Sequence, residues 1–318
     1  MTIGRAGATA AARLPRTRAA GIALAFVTAL VSGVAVFLNG YAVKAFDDAG
    51  VYTTAKNLVA AALLAALAAL AATRGAAARP TRPRTRRQWA GLAAVAVVGG
   101  SVPFLLFFEG LARASSVQAA FIHKTLVVWV ALLAVPLLSE RIGPAHLAAI
   151  GLLVWGQAVL GSGVGGMRLG AGEAMILAAT LLWAVEVIIA KRLLADLAPL
   201  TVGLARMGLG VLVLLGWLAA SGQAGGLAGL GGRQWAWALA TGAILTVYVA
   251  TWYAALARAP AVDVTAVLVL GAVVTALLDA AVNGKALAPQ ALGLVLVTAG
   301  GLLIAAARPL RADRPAVG

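Results

Sequence analysis

Long apolar runs separated by short polar or basic breaks set the pattern of this chain. A helix rises 1.5 Å per residue, so about 20 apolar residues cross a hydrocarbon core of about 30 Å. On that measure the pattern predicts ten spans, near residues 19–43, 51–72, 89–111, 115–138, 143–162, 171–191, 199–220, 234–257, 261–282 and 288–307. The narrowest division lies between the third and fourth, where only Arg113, Ala114 and Ser115 intervene. Arg13, Arg16 and Arg18 precede the first apolar run much as in a signal peptide, but that run is long enough to span and others follow. It reads as a retained helix. The expected class is therefore an all-α integral membrane protein, with tails at 1–18 and 308–318.

Inside this pattern one block is written twice. Leu111-Ala112-Arg113-Ala114 returns as Leu256-Ala257-Arg258-Ala259, and the same offset of 145 carries Val117 onto Val262, Pro144 onto Pro289 and Gly156 onto Gly301. The copies have parted elsewhere: Lys124 falls on Val269, Ala134 on Asp279 and Glu140 on Lys285. Ten spans divide into two sets of five, at 19–162 and 171–307. Five is odd, so the second set enters from the opposite side, and the pattern predicts two inverted repeats, an architecture of secondary transporters.

Basic residues set the expected orientation. Four arginines precede the first span, six lie from Arg74 to Arg87, and Arg141, Lys191, Arg192, Arg258 and three C-terminal arginines fall on the same side, seventeen in all. The other side has six: Lys44, Lys56, Arg113, Arg168, Arg233 and Lys285. The excess places both termini in the cytoplasm, with the plasma or inner membrane as the expected location.

Composition narrows the classes. Hydrophobic residues make up 63% and charged residues 11% of the 318 positions, against about a quarter charged in soluble domains. The net charge of +15 sits between apolar runs rather than along one face, which argues against nucleic acid. Without cysteine there is no disulfide or thiol chemistry, and two isolated histidines, His123 and His146, do not make a metal cage. No metal or cofactor is expected. The basic stretch Arg79–Arg87 reads as a topology determinant, with anionic lipid headgroups as its alternative partner. Six glycines in 221–232 form an outer loop, not a phosphate-binding one, since no strand precedes them and no Lys-Ser/Thr follows.

The stretch from Leu111 to Leu160 resembles the EamA domain of the drug/metabolite transporter superfamily. The resemblance lies in the small-residue helix 114–120, the apolar helix ending Leu138-Ser139-Glu140-Arg141, and a following helix with Gly151 and Gly156. The second copy resembles the same domain more loosely, with Lys285 where the first has Glu140, and at the start of the second half Trp183, Lys191, Pro199 and Arg206 fall where such proteins often carry a Trp, a basic helix end, a Pro and an Arg. The resemblance implies a ten-helix carrier of two inverted five-helix repeats, and export of amino acids or related metabolites. Many members carry a proline in the fourth helix, near Leu126 here, where this chain has His123-Lys124-Thr125.

Charged groups in the hydrocarbon core are costly and so become functional candidates. Lys124, about 15 Å into the fourth span, would hold an anionic group of the substrate or exchange a proton, unless it is locked in a structural ion pair. Its candidate partners are Glu109, Glu186 and Asp279, the last in a stripe Thr275, Asp279, Asn283. Substrate-binding candidates are Lys124, His123, Glu186, Tyr248, Trp252 and Asp279. Lys56, Glu109 and Arg206 are candidates for a gate or vestibule. His123 could serve proton coupling or simply bond between helices. Tyr248 and Trp252 share a face that suits an apolar or cationic group, or an interfacial belt.

The expected function is alternating-access transport of a small anionic or zwitterionic metabolite, by a protein that is not an enzyme. A site between the third, fourth, eighth and ninth spans would do this. Expected partners are the substrate, a coupling proton or counter-substrate, membrane lipids and a second copy in a homodimer. An exporter of cationic drugs or quaternary amines, a lipid-modifying enzyme and a non-transporting scaffold are the alternatives.

Overall fold

The computed structural model describes residues 13–73, 79–114, 116–160, 170–284, 286–287 and 290–307. The predicted helices are present. α1 is Arg13–Ala42 and α2 Ala49–Thr73. The third span is α3 (Arg86–Val98) with α4 (Val102–Arg113), and the fourth is α5 (Ser116–Lys124) with α6 (Leu126–Leu138). α7 (Pro144–Leu160) and α8 (Ala171–Leu193) follow. The seventh span runs from α9 (Pro199–Leu204) through a π-helical turn, Ala205–Leu209, into α10 (Gly210–Ala220). After the short α11 (Ala224–Ala228) come α12 (Gly232–Leu256), the ninth span as α13 (Ala261–Leu268) and α14 (Gly271–Asn283), and α15 (Ala291–Ala306). Eight helices are long and apolar enough to cross a membrane, and two shorter apolar ones, 144–159 and 291–306, fill the fifth and tenth places.

Packing follows the repeat. α4 lies on α8 as α12 lies on α1, α6 on α8 as α14 on α1, and α2 on α12 as the π-helical turn on α3. The pairs α7–α15 and α2–α10 join equivalent spans of the two halves. Exchanging the halves carries each of these pairs onto another of them or onto itself, as an inverted pair requires.

One pair of local breaks obeys the same offset. α6 covers 126–138 and α14 covers 271–283, 145 residues on at both ends, and both stop at a left-handed residue, Ser139 (φ 54°) and Gly284 (φ 67°). The fourth span interrupts itself at Thr125, whose hydroxyl donates to the Ile122 carbonyl (2.6 Å) and accepts from Trp129 Nε1 (3.0 Å). A backbone freed inside a bilayer must be satisfied by its neighbours. At Thr125 a side chain does this.

The break in the third span is deeper. Ser101 Oγ donates to the Ala96 and Val97 carbonyls at 2.9 and 3.2 Å, while the Gly99 carbonyl accepts from Trp183 Nε1 (3.1 Å) and Arg206 Nη2 (3.2 Å). The Gly100 carbonyl accepts from Asn57 Nδ2 at 3.3 Å. Glycine is required here by contact, since a Cβ at residue 100 would lie 1.9 Å from the Arg206 carbonyl oxygen. The unwound turn thus fixes Trp183 and Arg206 in place.

Candidate functional site

A cavity of about 830 Å³, counted with its open mouth, lies among spans one to four and six to eight. Ser32, Ala35, Val36 and Asn39 form its wall on α1, and the Asn39 end is read as the mouth because Val36, at 37%, is the most exposed of the four. Phe104, Phe107 and Phe108 recur along one side of α4, and Trp183, Tyr248 and Trp252 complete an aromatic lining. Tyr248 and Trp252, four residues apart on α12, stack with centroids 6.0 Å apart.

Two cations stand in this wall. Lys56 is 2% and Arg206 4% exposed, and no carboxylate among the described residues lies within 4.0 Å of either. Lys56 Nζ sits over the rings of Phe108, Tyr52 and Phe104 at 4.2, 4.9 and 5.4 Å and donates weakly to Asn39 Oδ1 at 3.5 Å. Asn39 Oδ1 also takes the Tyr52 hydroxyl. Arg206, on the π-helical turn, lies 5.7 Å from the Phe104 ring and 5.9 Å from that of Tyr253, and its Nε and Nη1 have no hydrogen-bond partner. Burying a charge costs several kcal/mol, and a cation over a ring recovers about 0.5–2 kcal/mol. The rings offset part of that cost, and an incoming anion would offset more.

Glu186, 1% exposed, is the single acid of the lining, and it accepts from the Tyr253 hydroxyl at 2.6 Å. His123 packs edge-on to Trp183 (4.9 Å) and Phe107 (5.3 Å), with Nδ1 unpartnered. The site thus pairs two cations and one carboxylate with an aromatic wall.

The structure brings His123, Glu186, Tyr248 and Trp252 together, and joins Lys56 and Arg206 to them as cavity walls rather than surface charges. Lys124, Glu109 and Asp279 are not in the lining. Lys124 is 7% exposed, and its Nζ has no hydrogen-bond partner among the described residues. Glu109 pairs with Arg113 at 2.6 Å near the end of α4. Asp279 accepts from Asn283 Nδ2 (2.5 Å), Asn283 Oδ1 accepts from the Tyr41 hydroxyl (2.7 Å), and Thr275 donates to the Gly33 carbonyl, so that stripe faces α1. The ninth span contributes nothing to the lining. Sequence reasoning did not single out Asn39 or the phenylalanines. The spacing of Phe104, Phe107 and Phe108, at i, i+3 and i+4, is the signal that could have found them. Among the described residues no three His, Asp or Glu side chains form a group able to hold a metal.

A chain of two five-helix repeats around a partly polar cavity is built as a multi-pass membrane transporter. The EamA-like transporter family matches residues 19–162 and 170–306, and the chain belongs to that family, a drug/metabolite-type transporter. A solved structure entitled "Crystal structure of protein" is similar, with a TM-score of 0.72 and 17% identity over 89% of this chain and 94% of that one. At that identity the likeness concerns the fold. No curated protein matches the chain.

Proposed function

We propose that the chain carries a small organic anion or zwitterion, such as an amino acid or a related carboxylate with a flat apolar body, across the plasma membrane by alternating access. The observation that carries this reading is the charge balance of the cavity, where Lys56 and Arg206 face one carboxylate, Glu186, already engaged by Tyr253. Arg206 Nε and Nη1, buried and without a hydrogen-bond partner among the described residues, are donors left for an anion, and Lys56 would approach the same anion as a point charge. The stacked Tyr248 and Trp252 would hold the apolar part, and Glu186 would meet an ammonium group of a zwitterion. Export is the direction that the family resemblance favours.

A thermal-shift screen tests the substrate class. Purified protein is offered amino acids, monocarboxylates with aromatic bodies, and quaternary amines. Stabilisation by a carboxylate, lost in Lys56→Met and followed by uptake of that compound into proteoliposomes, is the expected result. Stabilisation by quaternary amines alone would overturn the anion reading in favour of a cation exporter.

A further inference from the structure

The end of the molecule away from the cavity mouth is closed by charges that no substrate reaches. Arg18 Nη2 and Nε donate to Asp263 Oδ2 at 2.7 and 3.0 Å, and His146 Nε2 lies 3.2 Å from Asp263 Oδ1. The Asp263 side chain is 2% exposed. Beside it, Glu140 accepts from the Ala261 and Val262 backbone N–H groups at 2.6 and 3.1 Å, capping α13 with a carboxylate from the loop after α6. Lys191 Nζ donates to the Leu256 and Ala259 carbonyls at 2.6 and 2.7 Å, closing the end of α12.

Arg18, Glu140 and His146 come from the first repeat, and Asp263 with the N-terminus of α13 from the second. These are the parts that must separate if the Arg18 end is to open. Arg18 continues the stripe Ile22, Ala25, Ala29 of α1, all buried, which leads at helical spacing to Ser32 and Val36 in the cavity wall. A path from that end to the cavity would run along this stripe.

We propose that Arg18, Glu140, His146 and Asp263 form an inter-repeat latch that holds this end shut and the Asn39 end open. We further propose that the chain rests in that state because its repeat cannot build the same latch at the other end. The offset of 145 puts Gln118 in the place of Asp263 and Lys285 in the place of Glu140. A neutral amide cannot hold an arginine as a carboxylate does, and an ammonium group has no lone pair with which to cap a helix N-terminus. The sequence has no carboxylate at either of those two matching positions.

The chain has no cysteine, so single introduced thiols report without background. Ala25→Cys, at 1% exposure, reports the closed path, and Val36→Cys reports the mouth. In detergent, a bulky hydrophilic maleimide should label Val36→Cys quickly and Ala25→Cys slowly. Adding Glu140→Gln with Asp263→Asn should speed labelling at Ala25→Cys by at least about tenfold and slow it at Val36→Cys, as an exchange of ends requires. An unchanged rate at Ala25→Cys overturns the latch. A rise at both reporters together also overturns it, since that is loosening and not exchange. The proposal rests on the carrier reading for the exchange of ends alone. No substrate enters the measurement, so failure of the anion assignment and failure of the latch give different results.

Discussion

Lys56 and Lys124 are both buried lysines without a carboxylate partner among the described residues, yet they should behave differently when replaced. Lys56 stands in the cavity wall with three rings around it, whereas Lys124 lies outside the lining. Lys56→Met should weaken binding of an anionic ligand by at least about tenfold, equivalent to about 1.4 kcal/mol. Lys124→Met should change it by less than about twofold, with equal or higher thermal stability, because an uncompensated buried charge is removed. Ligand titration on the two purified variants checks both. This distinction was not legible in the sequence. Depth along a helix can be counted from an apolar run, and it picked out Lys124, but which way a side chain points depends on neighbours that the pattern does not name. Glu186 was found because its spacing from Trp183 puts both on one face. Its role needed Tyr253, whose hydroxyl holds the carboxylate. Tyr253→Phe leaves that buried oxygen without its donor and should destabilise the protein by about 1–3 kcal/mol, seen as a lower melting temperature.

At the scale of elements, the interrupted spans decide where polar groups can sit. The sequence placed ten helices and their approximate ends, since apolar length is explicit in it. It left the breaks within them open, because a break is decided by which side chains satisfy the freed carbonyls. Gly100 shows this best. Its carbonyl takes Asn57 Nδ2, its neighbour Gly99 takes Trp183 and Arg206, and its missing side chain lets the third span touch the seventh, where Gly210 approaches Gly100 in return. Gly100→Ala should therefore force the two spans apart. Overpacking costs about 1–3 kcal/mol, more where, as here, the clash is with backbone that no rotamer change relieves. A melting temperature several degrees lower is expected, together with loss of ligand binding, because Arg206 moves with its backbone. Gly216→Ala, with open space around the added methyl, should leave both unchanged.

For the whole molecule, the repeat was legible as an offset, and the structure extends it to the matching break of the fourth and ninth spans and to the main pairs of packed helices. The closing charges were not legible. Arg18 reads as one topology arginine among many and Glu140 as a family residue, and only folding brings them to Asp263 and the start of α13. What joins the two ends to a direction of transport is orientation. The segment 79–85 is held to the loop before α9, with Thr81 N donating to Thr201 Oγ1 and Ala198 N to Thr81 Oγ1 (both 2.7 Å). At the opposite end Gln223 Nε2 donates to Asp48 Oδ2 at 2.8 Å, tying the glycine-rich loop to the connection after α1. One crossing, α2, separates Asp47 from Arg82. Seventeen basic residues on the Arg82 side against six on the other would place that side in the cytoplasm, and on the proposed reading the cavity mouth would then face outward and the latch inward. In intact cells a membrane-impermeant maleimide should then label Asp47→Cys at once and Arg82→Cys only after permeabilisation. The reverse result would turn the molecule over, make its resting cavity inward-facing, and place the latch where an exporter releases its cargo.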